Sequence, residues 1–301
     1  MTRSDLMPSA CLSFVGLGAL GLPMAFNLCK ASYKLRVHTR SRKAEADLAV
    51  VGATPCESPS EAVKGSKALM ICVSDDNAVE EVLFGPKGAA QNLKQGSVVI
   101  DFSTISPETA EQIASRLSDR GVDYLDAPVT GGTEGAAAGK LTVLVGGNLK
   151  QLERVKPVLE VIGESIHHFG AVGKGQQVKA INQVLVAGSY AALAEAIGLG
   201  QRLKLPMESV IEALKKGAAG SWALNFRSGA MLAGEYPIGF KLALHHKDLG
   251  IALDTALLNG VELPITRQVA LIEQELIQQG HGEEDVSALH RWIQAKSDAS
   301  S

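Results

Sequence analysis

Along the first half of the chain, short apolar runs alternate with stretches of helical spacing. Leu12–Leu17 (LSFVGL), Tyr33–Thr39 (YKLRVHT), Lys67–Ser74 (KALMICVS) and Gly96–Ser103 (GSVVIDFS) each read as a buried strand closed by polar or glycine-rich residues. Two more strands are predicted in VDYLDAP and KLTVLVGG, and a last one in SIHHFG. Between them the spacing predicts helices near Asp76–Leu83, Pro107–Arg120 and Leu149–Ile162, and one after the first strand that tolerates Pro23 in its first turn. Strands alternating with helices predict βαβ units and a parallel, doubly wound sheet. From Gly175 onward only helical patterns and Gly/Pro loops occur. The expected fold is therefore α/β: a Rossmann-type domain over residues 10–172, then an all-helical domain over 173–298, joined by a long helix.

That joining helix carries an anomaly. KGQQVKAINQ (Lys174–Gln183) opens it with Lys179, and Asn182 and Gln183 follow three and four positions later on the same face. A helix start favours acids, because its free N–H groups and macrodipole make it positive. The continuation, VLVAGSYAALAEAIGLG, is apolar nearly all round and predicts a buried helix.

Composition narrows the class. Of the 301 residues, 46% are hydrophobic and 20% charged, as in a globular protein with a sizeable core. The net charge of −3, with both signs interspersed, suggests neither a nucleic-acid nor a membrane partner. Cys11, Cys29, Cys56 and Cys72 form no CxxC pair, which fits reduced thiols in a cytoplasmic protein better than a disulfide frame or a zinc site. The glycines and proline in CLSFVGLGALGLPMAFNL argue for structure and against a signal peptide. No other stretch reaches the roughly 18 uninterrupted apolar residues of a membrane span.

Gly16, Gly18 and Gly21 spell GxGxxG between a predicted strand and a predicted helix, where a dinucleotide's pyrophosphate is held. Alone the motif is weak; in this context Gly16, Leu17, Gly18, Ala19, Leu20 and Gly21 form a candidate cofactor loop. An acid ending the second strand would select NAD through the ribose hydroxyls. Here that strand ends HTRSR, and Thr39, Arg40, Ser41 and Arg42 suit a 2′-phosphate, so NADP is expected in preference to NAD. Val73 and Ser74, closing the third strand, complete the expected cofactor contacts. Other polar residues receive structural readings: Asp75 and Asp76 as caps of the next helix, Asp101 and Asp126 as loop anchors, His245 and His246 as supporting groups. No metal site is expected, and His281 and His290 have no evident partner.

Taken together, FVGLGALGLPMAFNL, DFSTISP, LDAPVTGG, GKGQQVKAINQ and HHKDLGIALD stand in the order and near the spacing of the 3-hydroxyisobutyrate dehydrogenase (β-hydroxyacid dehydrogenase) family, which the chain resembles from about Leu12 to Trp292. The resemblance implies an oxidoreductase interconverting a small 3-hydroxy or 2-hydroxy acid with its semialdehyde or keto acid. It implies Lys179 as the catalytic lysine, Asn182 as the amide assisting it, and Thr130, Gly131, Gly132 and Gln183 as substrate contacts, with Thr130 where the family more often has serine. Thr104 and Lys247 correspond to contacts near the nicotinamide. GAAGSWALNFRSG resembles the L-threonate dehydrogenase branch and puts Ser221 and Trp222 among the substrate contacts. A homodimer or homotetramer is also implied. Chemistry agrees: the oxygen that gains charge during carbonyl reduction needs a proton donor. Burial, the helix end and Lys247 should all disfavour the ammonium of Lys179 and so ease its exchange. Two rivals are a non-catalytic NADP-binding scaffold or sensor, and an imine reductase-like enzyme; the lysine argues against both.

Overall fold

The computed structural model describes residues 5–298. They form two compact units that divide between Lys179 and Ala180.

The first unit holds strands β1 (Cys11–Val15), β2 (Lys34–His38), β3 (Thr54–Pro55), β4 (Ala68–Ile71), β5 (Val98–Asp101), β6 (Asp123–Asp126), β7 (Val129–Thr130), β8 (Leu141–Gly147) and β9 (Gly163–His168). They build one nine-stranded sheet in the order β3-β2-β1-β4-β5-β6-β8-β7, with β9 on β8. Helices α1 (Gly21–Lys30), α2 (Lys43–Val50), α3 (Pro59–Ala62), α4 (Asp76–Phe84), α5 (Pro107–Ser118), α6 (Gly132–Ala138) and α7 (Leu149–Ile162) connect them. Along β4, Ala68 and Met70 enter one hydrophobic cluster while Leu69 and Ile71 enter another. Successive strand residues point to opposite faces, so the sheet is covered on both sides, which is why its central strands are continuously apolar.

The sheet is parallel from β3 through β6. It departs from the expected all-parallel order at β8, which runs antiparallel to β6 and β7. A parallel return needs a crossover of about a dozen residues or more. The stretch between β7 and β8 is shorter than that and spends most of its length on α6, so β8 returns antiparallel. β3, α2, α3, β7 and α6 lie outside the elements the pattern predicts. Each is short or atypical: β3 is an exposed Thr-Pro pair, and α6 reads GTEGAAA, a glycine-rich string that looks like loop.

Helix α8 (Lys174–Arg202) runs across the division between the units. The second unit continues with α9 (Met207–Leu214), α10 (Trp222–Phe226), α11 (Ser228–Ala233), α12 (Leu242–Leu258), α13 (Pro264–Gln278) and α14 (Leu289–Asp298). Among its described residues there is no strand, only one bridge between Lys241 and Asp285. Its core is gathered from several helices and includes Tyr190, Leu193, Ile197, Met231, Leu242, Leu249 and Leu276.

α8 corrects one expectation. By length and composition it is apolar enough to cross a membrane. Yet it is buried on one face only: Ala187, Tyr190, Ala194 and Ile197 enter the core, while Ile181, Leu185 and Leu199 are 62%, 70% and 63% exposed. A single helical core needs only one stripe of a helix, and the remaining apolar side chains face outward.

Candidate active site

The glycine loop leaves β1 and enters α1. Gly16 has φ +97°, and a Cβ there would overlap the Cys72 carbonyl; a Cβ on Gly21 would overlap the Gly16 carbonyl. Nothing lies within 4 Å of the corresponding point at Gly18, so that side of the loop is open to an approaching group. α1 begins at Gly21 with no side-chain cap and no acid in its first turn, so no carboxylate opposes an anion at its positive end, although Leu22 N–H already donates to the Gly18 carbonyl at 3.0 Å and Met24 N–H to that of Leu20 at 3.3 Å. The backbone thus fits a dinucleotide's pyrophosphate.

At the end of β2, sequence reading missed an acid. Glu45, from the first turn of α2, is buried and accepts from Thr39 N–H at 2.8 Å. Arg42 caps α2 with a left-handed backbone, φ 61°. Its guanidinium donates to Glu45 at 2.8 Å and to both oxygens of Glu57 at 2.8 and 3.0 Å. Arg40 and Ser41 are exposed. Arg42 is therefore already engaged by carboxylates, whereas Arg40 faces solvent. Glu45 lies six residues past Thr39, inside a segment whose pattern predicts no helix, which hid it.

Around the ends of β4 and β5, Val73 N–H donates to Ser103 Oγ at 3.0 Å, and Ser74 Oγ donates to Asp75 at 2.6 Å. Asp75 caps α4 through Ala78 N–H, as expected, and Asp76 accepts from Ser106 N–H. Asp101 is fully buried and accepts from Ser103 N–H and Tyr124 OH, both at 2.9 Å. Burial pushes its carboxyl up to about 6, with these bonds opposing. Gln176 brackets Thr104: its Nε2 donates to Ser103 O at 2.9 Å, and its Oε1 accepts from Ile105 N–H at 3.3 Å.

Lys179 is 8% exposed, and its Nζ donates to the Val129 carbonyl at 2.9 Å. Val129 and Thr130 form β7, and the next two residues, Gly131 and Gly132, turn the chain with φ +128° and +65°. The ammonium is therefore anchored one residue from Thr130 and the glycine turn. Asp126, at the end of β6, accepts from Gly173 N–H and Gln176 N–H at 2.9 Å each. It supplies the acid that the start of α8 lacks in its own sequence. The helix end beside Lys179 is thus complemented by a carboxylate, which corrects the expectation of an unopposed positive terminus.

In the second unit, side chains meet side chains. Asn182 Nδ2 donates to Gln183 Oε1 at 2.7 Å, and Gln183 Nε2 donates to Asp248 Oδ2 at 2.8 Å. Lys247 Nζ pairs with Asp248 Oδ1 at 2.9 Å. His245 and His246 both turn toward the buried Glu273, at 2.6 and 4.0 Å, so they serve α12–α13 packing. Ser221 caps α10 through Leu224 N–H, and Trp222, 41% exposed, lies against Phe226 with Arg227 over its ring. His290 is fully buried beside Tyr236 OH at 3.4 Å, and His281 lies 3.4 Å from Glu284, partners the sequence did not indicate. Among the described residues no group of three metal-ligating side chains converges.

Residues 11–170 match the NAD binding domain of 6-phosphogluconate dehydrogenase, and residues 173–293 match the NAD-binding domain of NADP-dependent 3-hydroxyisobutyrate dehydrogenase. The chain belongs to the 3-hydroxyisobutyrate dehydrogenase (β-hydroxyacid dehydrogenase) family. It is 36% identical over 279 residues to the 2-(hydroxymethyl)glutarate dehydrogenase of Eubacterium barkeri, covering 92% of this chain and 93% of the relative. To the 2-hydroxy-3-oxopropionate reductase of Escherichia coli it is 37% identical over 278 residues, covering 92% and 95%. The crystal structure of a 3-hydroxyisobutyrate dehydrogenase from Salmonella typhimurium superposes with a TM-score of 0.88 at 32% identity, over 94% of this chain and 99% of that one. This family member is an NAD(P)-dependent oxidoreductase acting on the CH–OH group of small hydroxy acids.

Proposed function

We propose that the chain uses NADP to interconvert a small 3-hydroxy or 2-hydroxy acid with its semialdehyde or keto acid, with Lys179 as general acid and base. The observation that carries this is the buried Lys179 ammonium on the Val129 carbonyl, next to Thr130, Gly131 and Gly132. The Thr130 hydroxyl and the N–H groups of the glycine turn suit a substrate carboxylate. That leaves the substrate's carbinol carbon toward the lysine. Gly16 to Gly21 would hold the cofactor's pyrophosphate, Arg40, Ser41 and Arg42 its 2′-phosphate, and Thr104 and Lys247 its nicotinamide end, with Val73 and Ser74 as further cofactor contacts. Bound there, the cofactor supplies the hydride acceptor or donor. In oxidation the amine of Lys179 takes the hydroxyl proton as the substrate's C–H is lost as hydride; in reduction the ammonium returns that proton to the carbonyl oxygen. Asn182 assists from the next turn of α8, and Gln183, Ser221 and Trp222 complete the substrate contacts.

In this reading residues 10–172 bind the cofactor and residues 173–298 serve substrate and assembly, in a cytoplasmic homodimer or homotetramer. The exposed Ile181, Leu185 and Leu199 of α8 support an interface with a second copy. Light scattering at micromolar concentration checks it; a monomer counts against it.

The deciding experiment pairs a substrate screen with one variant. Glycolate/glyoxylate, glycerate/2-hydroxy-3-oxopropionate, 3-hydroxyisobutyrate and threonate with their oxidised forms are assayed with both cofactors. On the best pair, Lys179→Ala should fold, bind NADPH and lose about 10²-fold or more in kcat, the scale of general acid–base catalysis. Lys179→Arg should not restore it, because a guanidinium holds its proton. The wild-type pH profile should carry a limb that Lys179→Ala lacks. Near-normal turnover in Lys179→Ala overturns the mechanism.

A further inference from the structure

Successive strand ends of the first unit are tied to the opening of α8. Asp126, closing β6, accepts from Gly173 N–H and Gln176 N–H, and Val129 of β7 accepts from Lys179 Nζ. Between these ties the Gln176 side chain, 1% exposed, reaches the segment that follows β5. Its Nε2 donates to Ser103 O at 2.9 Å, and its Oε1 accepts from Ile105 N–H at 3.3 Å. Only one orientation of the amide satisfies both, because the Ser103 carbonyl needs a donor and the Ile105 N–H an acceptor. A further tie comes from the end of β4, where Val73 N–H donates to Ser103 Oγ at 3.0 Å. Ser103 and Ile105 are buried, and the path of their main chain places the half-buried Thr104. Gln176 and Lys179 lie three positions apart, on one face of α8.

We propose that Gln176 is a positioning residue: it locks the Ser103–Ile105 main chain to the helix that carries Lys179, and so fixes the nicotinamide's reach to the substrate carbon whose oxygen Lys179 serves. The proposal rests on the reading of Thr104 as a nicotinamide contact and of Lys179 as the acid and base. Hydride transfer requires the nicotinamide carbon and the substrate carbon in contact, while the proton moves between Lys179 and the adjoining oxygen. One of these partners is supported by the segment after β5 and the other by α8. An amide that joins the two supports sets their separation without touching either reactant. A misplacement of about 1 Å between reacting groups costs up to about 10²-fold in rate. The pyrophosphate and 2′-phosphate contacts lie on other segments. Loss of the amide should therefore slow hydride transfer and leave cofactor affinity nearly unchanged.

The test is single-turnover hydride transfer with the preferred cofactor and the best substrate pair from the screen above, counted per bound cofactor so that unfolded molecules drop out. Gln176→Met keeps the volume and removes both bonds. It should slow that step by about tenfold to 10²-fold and shift the cofactor Kd by less than about threefold. Gln176→Glu supplies a rescue. When protonated it donates to Ser103 O and accepts from Ile105 N–H as the amide does; when ionised it can only accept. Burial disfavours that carboxylate, as do Asp101 and Asp126 at the strand ends, Asp76 of α4 and Glu111 of α5, while Lys179 of α8 favours it. The rate of Gln176→Glu relative to the parent should therefore climb as pH falls, while that of Gln176→Met stays flat, a contrast that a merely structural role would not give. A parent-like rate in Gln176→Glu at every pH beside a slow Gln176→Met also upholds the lock, the carboxyl then being protonated throughout. A Gln176→Met rate within about threefold of the parent, or Gln176→Glu no faster than Gln176→Met at the lowest pH of parent turnover, overturns the proposal. If Gln176→Met does not fold, Gln176→Glu decides alone: a climb upholds the lock and a flat ratio overturns it. Normal turnover in Lys179→Ala defeats the acid–base reading whatever Gln176 does, and lost turnover there beside an unimpaired Gln176→Met defeats the lock alone.

Discussion

In the first unit, polar groups beside the candidate site are answered by backbone. Lys179 donates to a main-chain carbonyl, Asp126 takes two main-chain N–H groups, and Gln176 spans the main chain on either side of Thr104. In the second unit they are answered by other side chains. Gln183 meets Asp248 and His245 meets Glu273, while Asp285, away from the candidate site, is mixed: it accepts from Ser287 Oγ at 2.7 Å and also from the N–H groups of Gly239, Phe240 and Ser287. The difference has a physical source. A parallel sheet ends its strands in loops whose N–H and C=O groups are unpaired, so partners for ligands and side chains are ready there. A helical unit consumes its main-chain groups internally, and each buried polar side chain must find another. Backbone-made sites tolerate changes of side chain but not of chain path; side-chain networks fail when either partner is lost.

The largest stability effect should therefore arise in the second unit. Glu273→Ala removes the carboxylate under His245 and leaves a buried imidazole without its 2.6 Å partner. Breaking such a buried pair costs on the order of 3 kcal/mol. Hydrogen exchange should locate the loss in α12 and α13, with the sheet of the first unit unaffected. Equal loss of protection in both units would erase the contrast.

A comparable but pH-limited effect is expected in the first unit. Burial raises the Asp101 carboxyl from 3.8 to about 6. Between roughly pH 4 and 6 the folded chain holds a proton there that the unfolded chain has released, so stability falls as pH rises through that window. The fall is on the order of 2 kcal/mol. Asp101→Asn, which carries no titrating proton, should flatten this slope in urea melts taken across the window. A slope unchanged in the variant would assign it to other acids.

These two regions also differ in how far the sequence discloses them. The glycine loop and the cap at Asp75 are written in short contiguous strings. Lys179 and Val129, by contrast, are 50 positions apart and are associated only through the family resemblance, and the cap at Ser221 is not read from the sequence at all. Asp248 and Gln183 are 65 positions apart, and His245 and Glu273 are 28 apart; no local pattern couples them. Glu45 stayed hidden for another reason: its role depends on α2, whose mixed sequence KAEADLAV shows no clear periodicity. The antiparallel return of β8 required knowing that α6 was too short to act as a crossover.

The cofactor contact at β2 mixes both styles and gives a smaller effect. Arg40 is exposed and suits the 2′-phosphate, so Arg40→Ala should weaken NADPH binding by about 1–3 kcal/mol, the worth of a charged hydrogen bond, while NADH binding stays constant. Fluorescence titration with both reduced cofactors checks this. Efficient use of both NAD and NADP by the unmodified protein would defeat the preference.

The smallest effect concerns Arg42, the one guanidinium in this loop already held by a side-chain network. Its forked pairing with Glu57 is exposed, and salt and water screen it. Glu57 holds Arg42 where a 2′-phosphate would have to compete for the same N–H groups, so the carboxylate weakens phosphate binding twice: by occupying donors and by adding negative charge. Glu57→Gln keeps a hydrogen-bond acceptor but removes the charge. It should tighten NADPH binding by less than about fivefold, the ceiling for a screened surface pair, and leave NADH unchanged. The gain should shrink as salt is raised, because screening already weakens the competing carboxylate in the parent chain. Tighter binding of both cofactors would mean that Glu57 acts on the shape of the loop, and weaker NADPH binding would mean that it holds Arg42 in the orientation the phosphate needs.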